Sequence, residues 1–429
     1  MKDFALRAAV TIVRVMSALA ELFTKRRDTI LLISCQDDEP TQDMAELADA
    51  LRALPDAPDV VVQAGLMRRS FAGALSFAGK LFSMMRNIAA AKTVVIDAYC
   101  PAISIPKKRG RRKIVQMWHA PDAIKKFSMQ IIDTPAGYSG KTAMILNMHQ
   151  GYDYILCPAD ATRPFFAEAF GYPESAFVKY GLPMIDRAGK MRRPGGGRAE
   201  TEERTRARTA IALRYPQLDG RLAIVYAPTF RDGAGVDAAG LAEALRQASE
   251  GTQRGRSFLC PYLVVKLHPL DAVKNGAGGD VMTQKRTSPL CSGGDVMTQK
   301  RTSPLCSLRD TDFPLSDWYA AADAIVTDYS GVAVEAAAAG VASYYYIYDM
   351  DEYAAKRGLN VDLRDEATGK YAFADAKALA ERLLSDFEGG DFANGEGYDY
   401  SALDAFAAKY LEVPPGGNTE RLAGFIAAL

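Results

Sequence analysis

Apolar positions in the first 24 residues follow a helical period. Asp3, Arg7, Thr11, Arg14, Ser17 and Glu21 recur at three- or four-residue steps. They predict a helix over 3–24 with one narrow polar stripe on an otherwise apolar cylinder. Such a helix fits two seats, the interface plane of a membrane or the protein's own core. The period then changes. TILLIS (29–34), DVVVQ (59–63), TVVID (93–97) and KIVQMW (113–118) are short apolar runs. Each predicts a strand. Between them, 44–54 and 70–91 return to helical periodicity. Strands alternating with helices predict a parallel sheet of the α/β type. The rhythm continues through YDYILC (152–157), 161–170 and FVKYGLP (177–183).

Residues 188–208, AGKMRRPGGGRAETEERTRAR, combine three consecutive glycines with a dense charge run and read as a linker or surface loop. A second alternating series follows: LAIVYAP (222–228), a helix over 238–249, YLVVKLH (262–268), AIVT (324–327), a helix over 331–339 and SYYYIY (343–348). The expected organisation is an N-terminal helix (1–28), a first Rossmann-like domain (29–190), a linker (191–208), a second Rossmann-like domain (209–390) and a C-terminal helical segment (391–429). Two such halves put a cleft between them, and ligands favour the carboxyl ends of parallel strands. GGDVMTQKRTSPLCS stands at 278–292 and again, identically, at 293–307. A perfect copy is not a structural period, and its Gly, Ser, Thr and Lys content suits a duplicated surface loop.

Composition narrows the classes. Apolar residues at 48% and charged residues at 24% exclude a fibrous or wholly disordered chain. Lys plus Arg (52) equals Asp plus Glu (52), which speaks against a nucleic-acid binder. The balance is uneven, however: residues 1–126 hold 20 Lys/Arg against 13 Asp/Glu. That basic front end, with KKRGRRK at 107–113, suits an anionic surface as well as a solvated face. No apolar run is long enough to span a bilayer, and Arg7 and Arg14 interrupt any signal-peptide core. None of the six cysteines lies in a CxxC pair or at zinc-ligand spacing, so free thiols and a reducing compartment are expected.

Candidate chemistry gathers at strand ends. His119 follows KIVQMW and His268 ends YLVVKLH, while His149 reads as structural. YAPTFRD (226–232) offers Pro228, the Thr229 hydroxyl and the planar fork of Arg231, which suits phosphate. In AIVTDYSGVAVEAA (324–337), Thr327 and Asp328 lead into a helix beginning near Ser330 and Gly331. Free amides at a helix start favour an anion, though a plain N-cap reads equally well there. With Lys266 and His268 these groups could form a diphosphate cradle. Neither GxGxxG nor a Walker loop is present, and no metal or cofactor is expected.

WHAPDAIKKF, GLPMID, YAPTFRD, KLHP, AADAIVTDYSGVAVEAAAAGV and YDMDEYAAKRGLNVDL occur in that order between residue 113 and about residue 370. This set resembles the CDP-glycerol glycerophosphotransferase family of teichoic acid primases and polymerases. The resemblance implies a GT-B-like fold of two Rossmann-like domains. It implies transfer of glycerol phosphate from CDP-glycerol to a hydroxyl of a lipid-linked (polyprenyl-diphosphate saccharide) acceptor, releasing CMP at the cytoplasmic membrane face. His119, behind Trp118, would be the base. Arg231 and His268 would contact the diphosphate. Lys125 could hold an anionic acceptor, and Gly181, Pro228, Thr229, Lys266, Thr327, Asp328, Ser330, Gly331 and Glu335 complete the expected substrate contacts.

The sequence departs from the family at Ala120, where glycine follows the histidine, and at Gly331, the second serine of DYSS. It departs again at Glu335, an aspartate in the family, and at Gly340-Val341, where Lys-Pro is usual. CDP-ribitol or another CDP-alditol would use the same cradle, and a GT-B glycosyltransferase taking a nucleotide sugar is the competing enzyme class.

Overall fold

The computed structural model describes residues 2–36, 38–65, 71–106, 110–192, 201–231, 236–251, 261–267, 307–387 and 397–429. Among these, twelve strands assort into two parallel sheets. The first contains β1 (Thr29–Ser34), β2 (Asp59–Ala64), β3 (Thr93–Ile96), β4 (Lys113–Gln116), β5 (Tyr154–Leu156) and β6 (Phe177–Val178), in the order β2-β1-β3-β4-β5-β6. The second contains β7 (Ala223–Tyr226), β8 (Tyr262–Val265), β9 (Ser307–Arg309), β10 (Ala324–Thr327), β11 (Ala342–Tyr346) and β12 (Ala372–Phe373), ordered β12-β11-β10-β7-β8-β9. All pairings within both sheets are parallel. The two doubly wound sheets form the GT-B-like α/β architecture expected from the sequence.

Burial follows from these positions. Central β1, β3, β7 and β10 are buried at every residue, because helices cover both faces of a parallel sheet. Edge strand β2 is only partly buried. Each order reverses once, between β1 and β3 in the first sheet and between β7 and β10 in the second. At such a switch point the loops leaving adjacent strands diverge and open a crevice.

The halves are tied together well beyond the linker. Helix Asn418–Ala428 returns to the first sheet, where Leu422, Ala423 and Ile426 join the core with Leu47 and Leu51 of helix Gln42–Arg52. Asp186 anchors its start, accepting from Gly416 N–H at 2.6 Å, Asn418 Nδ2 at 2.7 Å and Thr419 N–H at 2.9 Å. A helix, Glu202–Arg214, begins inside the stretch read as a linker and runs past its end. The tandem copy up to residue 306 lies outside the described residues, as does His268.

The N-terminal helix runs Lys2–Phe23. Leu6, Val10, Val13, Met16 and Ala20 pack on the first domain. The polar stripe lies along one flank of the helix and finds protein partners. Arg14 Nε donates to Ile105 O at 3.2 Å, and Glu21 pairs with buried Arg112 at 2.8 Å. The remaining face carries Phe4, Ile12, Val15, Leu19, Leu22 and Phe23, and both phenylalanines are 80% exposed. No helix among the described residues is long and apolar enough to cross a membrane.

Candidate active site

At the first switch point, buried Asp97 follows β3 and caps the end of β1. It accepts from Ser34 Oγ at 2.7 Å and from Cys35 N–H at 3.0 Å. Its carbonyl holds His119 Nδ1 at 3.0 Å. A carbonyl only accepts, so Nδ1 carries the proton and Nε2 keeps its lone pair. The His119 ring is open to the cleft, yet the protein around it lowers its pKa by desolvation; the hydrogen bond to Asp97 and the Asp97 and Asp122 charges oppose this. A neutral imidazole with a free Nε2 is what a general base requires.

Trp118 fixes the turn before it. Its φ is +62°, a left-handed conformation unusual for a bulky residue. The indole lies 4.1 Å from the His119 ring, stacks on Phe127 at 5.3 Å and meets Phe170 edge-on at 5.2 Å. This packing offsets the backbone strain. His149 is buried behind the same indole and hydrogen-bonds Tyr152. Desolvation, with His119 nearby, lowers its pKa to about 4. It is therefore neutral near pH 7, in keeping with its structural reading.

At the second switch point, the loop after β7 and the segment after β10 converge. Both Asp328 carboxylate oxygens accept from Thr229 N–H, at 2.9 and 3.0 Å. Arg231 Nη2 donates to Asp328 at 2.9 Å, its Nε to Asp349 at 2.6 Å and its Nη1 to Thr229 O at 3.1 Å. Burial alone would lower the Arg231 pKa, but Asp328 and Asp349 outweigh it and hold it above the usual range. The guanidinium also lies over the Tyr353 ring at 4.7 Å. Thr229 Oγ1 and the Tyr329 and Tyr353 hydroxyls are buried there without a hydrogen-bond partner. Buried orphan hydroxyls are costly, so they mark a place where a polar ligand or water completes the network.

The two switch points meet. Asp122, three residues beyond His119, is buried against the start of helix Val332–Ala338: a Cβ added to Gly331 would lie 2.1 Å from its Oδ2. The glycine that departs from the family pattern is thus the residue that admits this carboxylate. Desolvation raises the Asp122 pKa, against the opposing pull of Lys125 and a hydrogen bond from Ile124 N–H. Lys125 is pushed down by desolvation in the same seam, with Arg357 adding to the shift and Asp122 and Asp328 opposing it. One turn beyond Gly331, Glu335 accepts from Tyr319 Oη at 2.9 Å. Burial, helped by Asp122 and Asp43, raises its pKa to about 7. Glu335 lines a cavity of about 190 Å³ between the domains, together with Gln42, Arg187, Ser316 and Tyr319.

The structure therefore brings together Trp118, His119, Lys125, Thr229, Arg231, Asp328, Ser330, Gly331 and Glu335, with Pro228 buried at the turn. Other expected contacts are committed elsewhere. Lys266 pairs with buried Asp310 at 3.0 Å, beside Trp318 Nε1. Gly181 is packed under Asn418, whose Oδ1 is 2.5 Å from its added Cβ. Thr327 Oγ1 donates to Ala227 O at 2.8 Å, across the sheet. Asp97, Asp122 and Asp349 were not singled out by the sequence. Asp97 left a trace as a charge ending the apolar run TVVID, and Asp122 and Asp349 lie inside the motifs WHAPDAIKKF and YDMDEYAAKRGLNVDL without standing out there.

Comparison with known proteins agrees with this fold. The model of a family described as CDP-Glycerol:Poly(glycerophosphate) glycerophosphotransferase matches residues 15–428. A teichoic acid ribitol-phosphate primase of Bacillus spizizenii is 25% identical over 96% of this chain and 93% of its own length. A teichoic acid glycerol-phosphate primase of Bacillus subtilis is 23% identical, over 78% of this chain and 73% of its own. Solved structures of the wall teichoic acid polymerase TagF superpose with a TM-score of 0.65 at 16% identity, covering 100% of this chain and 97% of theirs. At that identity the likeness concerns the fold alone. The chain belongs to the CDP-glycerol:poly(glycerophosphate) glycerophosphotransferase family and is a phosphotransferase.

Proposed function

We propose that this chain transfers glycerol phosphate from CDP-glycerol to a hydroxyl of a lipid-linked teichoic acid acceptor, releasing CMP. The observation that carries this reading is His119. Its Nδ1 is held by the Asp97 carbonyl and its Nε2 is free, at a seam that reaches the Thr229–Arg231–Asp328 network of the other domain. His119 Nε2 takes the acceptor proton as the hydroxyl oxygen attacks the glycerol-bearing phosphorus. The bond to the CMP oxygen breaks, and CMP leaves with the electron pair. Positioning and charge neutralisation do most of the work in such a transfer. Lys125, Thr229, Arg231, Ser330 and the Gly331 turn are assigned to substrate binding, and His268 to the leaving phosphate.

A CDP-ribitol donor is the second reading, favoured by the coverage of the ribitol-phosphate primase. The outward apolar face of helix Lys2–Phe23, followed by Lys25, Arg26 and Arg27, supports peripheral seating on the cytoplasmic membrane face, where a lipid-linked acceptor would lie.

The test is CMP release from CDP-glycerol, CDP-ribitol and UDP-glucose with bacterial membranes as acceptor. Release from CDP-glycerol that disappears in His119→Ala supports the proposal. Release from CDP-ribitol alone changes the donor and keeps the mechanism. Undiminished turnover in His119→Ala removes the base assignment, and sugar transfer from UDP-glucose overturns the reaction class.

A further inference from the structure

The segment Arg357–Val361, RGLNV, takes no part in the chemistry above. It leaves helix Met350–Lys356 of the second domain and docks on the first domain just beyond His119. Leu359 and Lys125 form an antiparallel bridge. Lys126 N–H donates to Gly358 O at 3.1 Å, and Asn360 N–H donates to Ile124 O at 2.9 Å. Arg357 Nε donates to Lys126 O at 3.1 Å. Gly358 has φ +86°, and a Cβ there would lie 2.6 Å from Lys126 Cδ, so both conformation and space call for glycine.

Asn360 closes this clasp with its side chain. Its Nδ2 donates to Lys125 O at 3.3 Å and to Gln130 Oε1 at 3.1 Å. Its Oδ1 accepts from Gln130 Nε2 at 2.9 Å. The two amides thus pair reciprocally across the domain boundary, and Gln130 Oε1 also accepts from Phe127 N–H at 3.3 Å. Phe127 stacks on Trp118, and Trp118 packs on His119. A short chain of contacts therefore runs from the second domain to the candidate base. Strand-like pairing of this kind resists sliding, because a register shift breaks several hydrogen bonds together.

We infer that Asn360 is a positioning residue: with Gln130 it clasps the loop Ile124–Phe127 to the second domain and sets His119 at its working distance from the donor network. The inference rests on the reading of His119 as the base. The domains then work as a clasped pair, and the position of His119 does not depend on free opening and closing of the cleft. Displacing a reacting group by a fraction of an ångström lowers turnover while leaving donor binding in place.

The experiment is a double-mutant cycle on the full chain, with Asn360→Ala, Gln130→Ala and the double variant. CMP release from CDP-glycerol and from CDP-ribitol is followed with bacterial membrane vesicles as acceptor. Each single variant should lose about tenfold in kcat, with donor KM within about twofold and an unchanged melting temperature. The double variant should be no worse than either single one, since both remove the same clasp. If Asn360→Ala does not fold, Asn360→Asp serves: it keeps the acceptor for Gln130 and loses both donations, so kcat should fall part of the way. Wild-type kcat in a folded Asn360 variant, multiplicative losses in the double variant, or a donor KM that rises as kcat falls would each overturn the inference. His119→Ala is run alongside. If it stays active, the base reading fails; if it is inactive while Asn360→Ala is not, only the clasp fails.

Discussion

Glu335 gives the sharpest stability prediction, because its charge sits where charge is least welcome. Its carboxyl is raised from 4.5 to about 7, first by desolvation and then by Asp122 and Asp43, with the Tyr319 hydrogen bond and Arg187 opposing. The folded state therefore favours the protonated form. The stability that goes with protonation is complete below the unfolded value near 4.5 and is lost as pH rises through about 7. Taken at face value the shift corresponds to about 3 kcal/mol. Glu335 lines a cavity large enough for water, which solvates the carboxylate and reduces the cost to about 1–2 kcal/mol. Glu335→Gln keeps a neutral acceptor for Tyr319 and cannot ionise. At pH 8 the variant should be the more stable protein, by about 1–2 °C in melting temperature, and the gap should close toward pH 5. Thermal unfolding of both proteins at pH 5, 6, 7 and 8 measures it. A gap that is constant across pH, or that grows toward acid, would refute the reasoning.

Three further outcomes follow from named contacts. Gly331→Ser, which restores the residue usual in the family, pushes its Cβ into Asp122; turnover should fall about tenfold through loss of the Asp122–Ile124 hydrogen bond, and adding Asp122→Ala should relieve the clash in thermal unfolding without restoring turnover, whereas a fully active single variant would show the seam to be loose. Arg231→Ala leaves Asp328 and Asp349 without their cation and should cost about 3–5 kcal/mol; Arg231→Lys should recover part of the stability in denaturant titration but no CMP release, since an ammonium cannot bridge both carboxylates. Ile12→Glu with Leu19→Glu should abolish co-sedimentation with anionic vesicles while leaving the melting temperature unchanged, because both side chains already face outward; retained binding would remove the helix from the membrane contact.

Local pattern carried the fold a long way. The apolar runs at 29–34, 93–97, 222–228 and 324–327 contain β1, β3, β7 and β10, because strands buried on both faces must be continuously apolar. Strand order was not legible, since it depends on which way each crossover turns. β9 begins on the last residue of the tandem copy and shows no apolar run of its own. The site divides in the same way. His119, Thr229, Arg231 and Asp328 announce themselves at strand ends. Asp97, Asp122, Asp349 and Asn360 matter through partners 22, 209, 118 and 230 residues away, at His119, Gly331, Arg231 and Gln130. Their motifs are local, but nothing local says which distant residue each one meets. The converse case has the same origin: Lys266 sits at a strand end as a ligand-binding lysine would, and Asp310, 44 residues on, lies beside it in the folded chain.

The charge arithmetic at the second switch point redistributes the roles first assigned there. Arg231 is shared by Asp328 and Asp349, so the three groups together carry one net negative charge. Such a cluster does not by itself attract a diphosphate. Its contribution is order: it fixes the Thr229 main chain and leaves the buried Thr229 hydroxyl seeking a partner. Attraction then falls to cations that no carboxylate neutralises. Among the described residues Lys125 and Arg357 have none within ion-pair distance, and they lie close enough for Arg357 to help depress the Lys125 pKa. One comes from each domain, and Lys125 is bridged to Leu359, two residues beyond Arg357. Two like charges held together in a partly desolvated seam are costly without an anion and become favourable with one between them. A diphosphate at that position would return Lys125 toward its ordinary pKa.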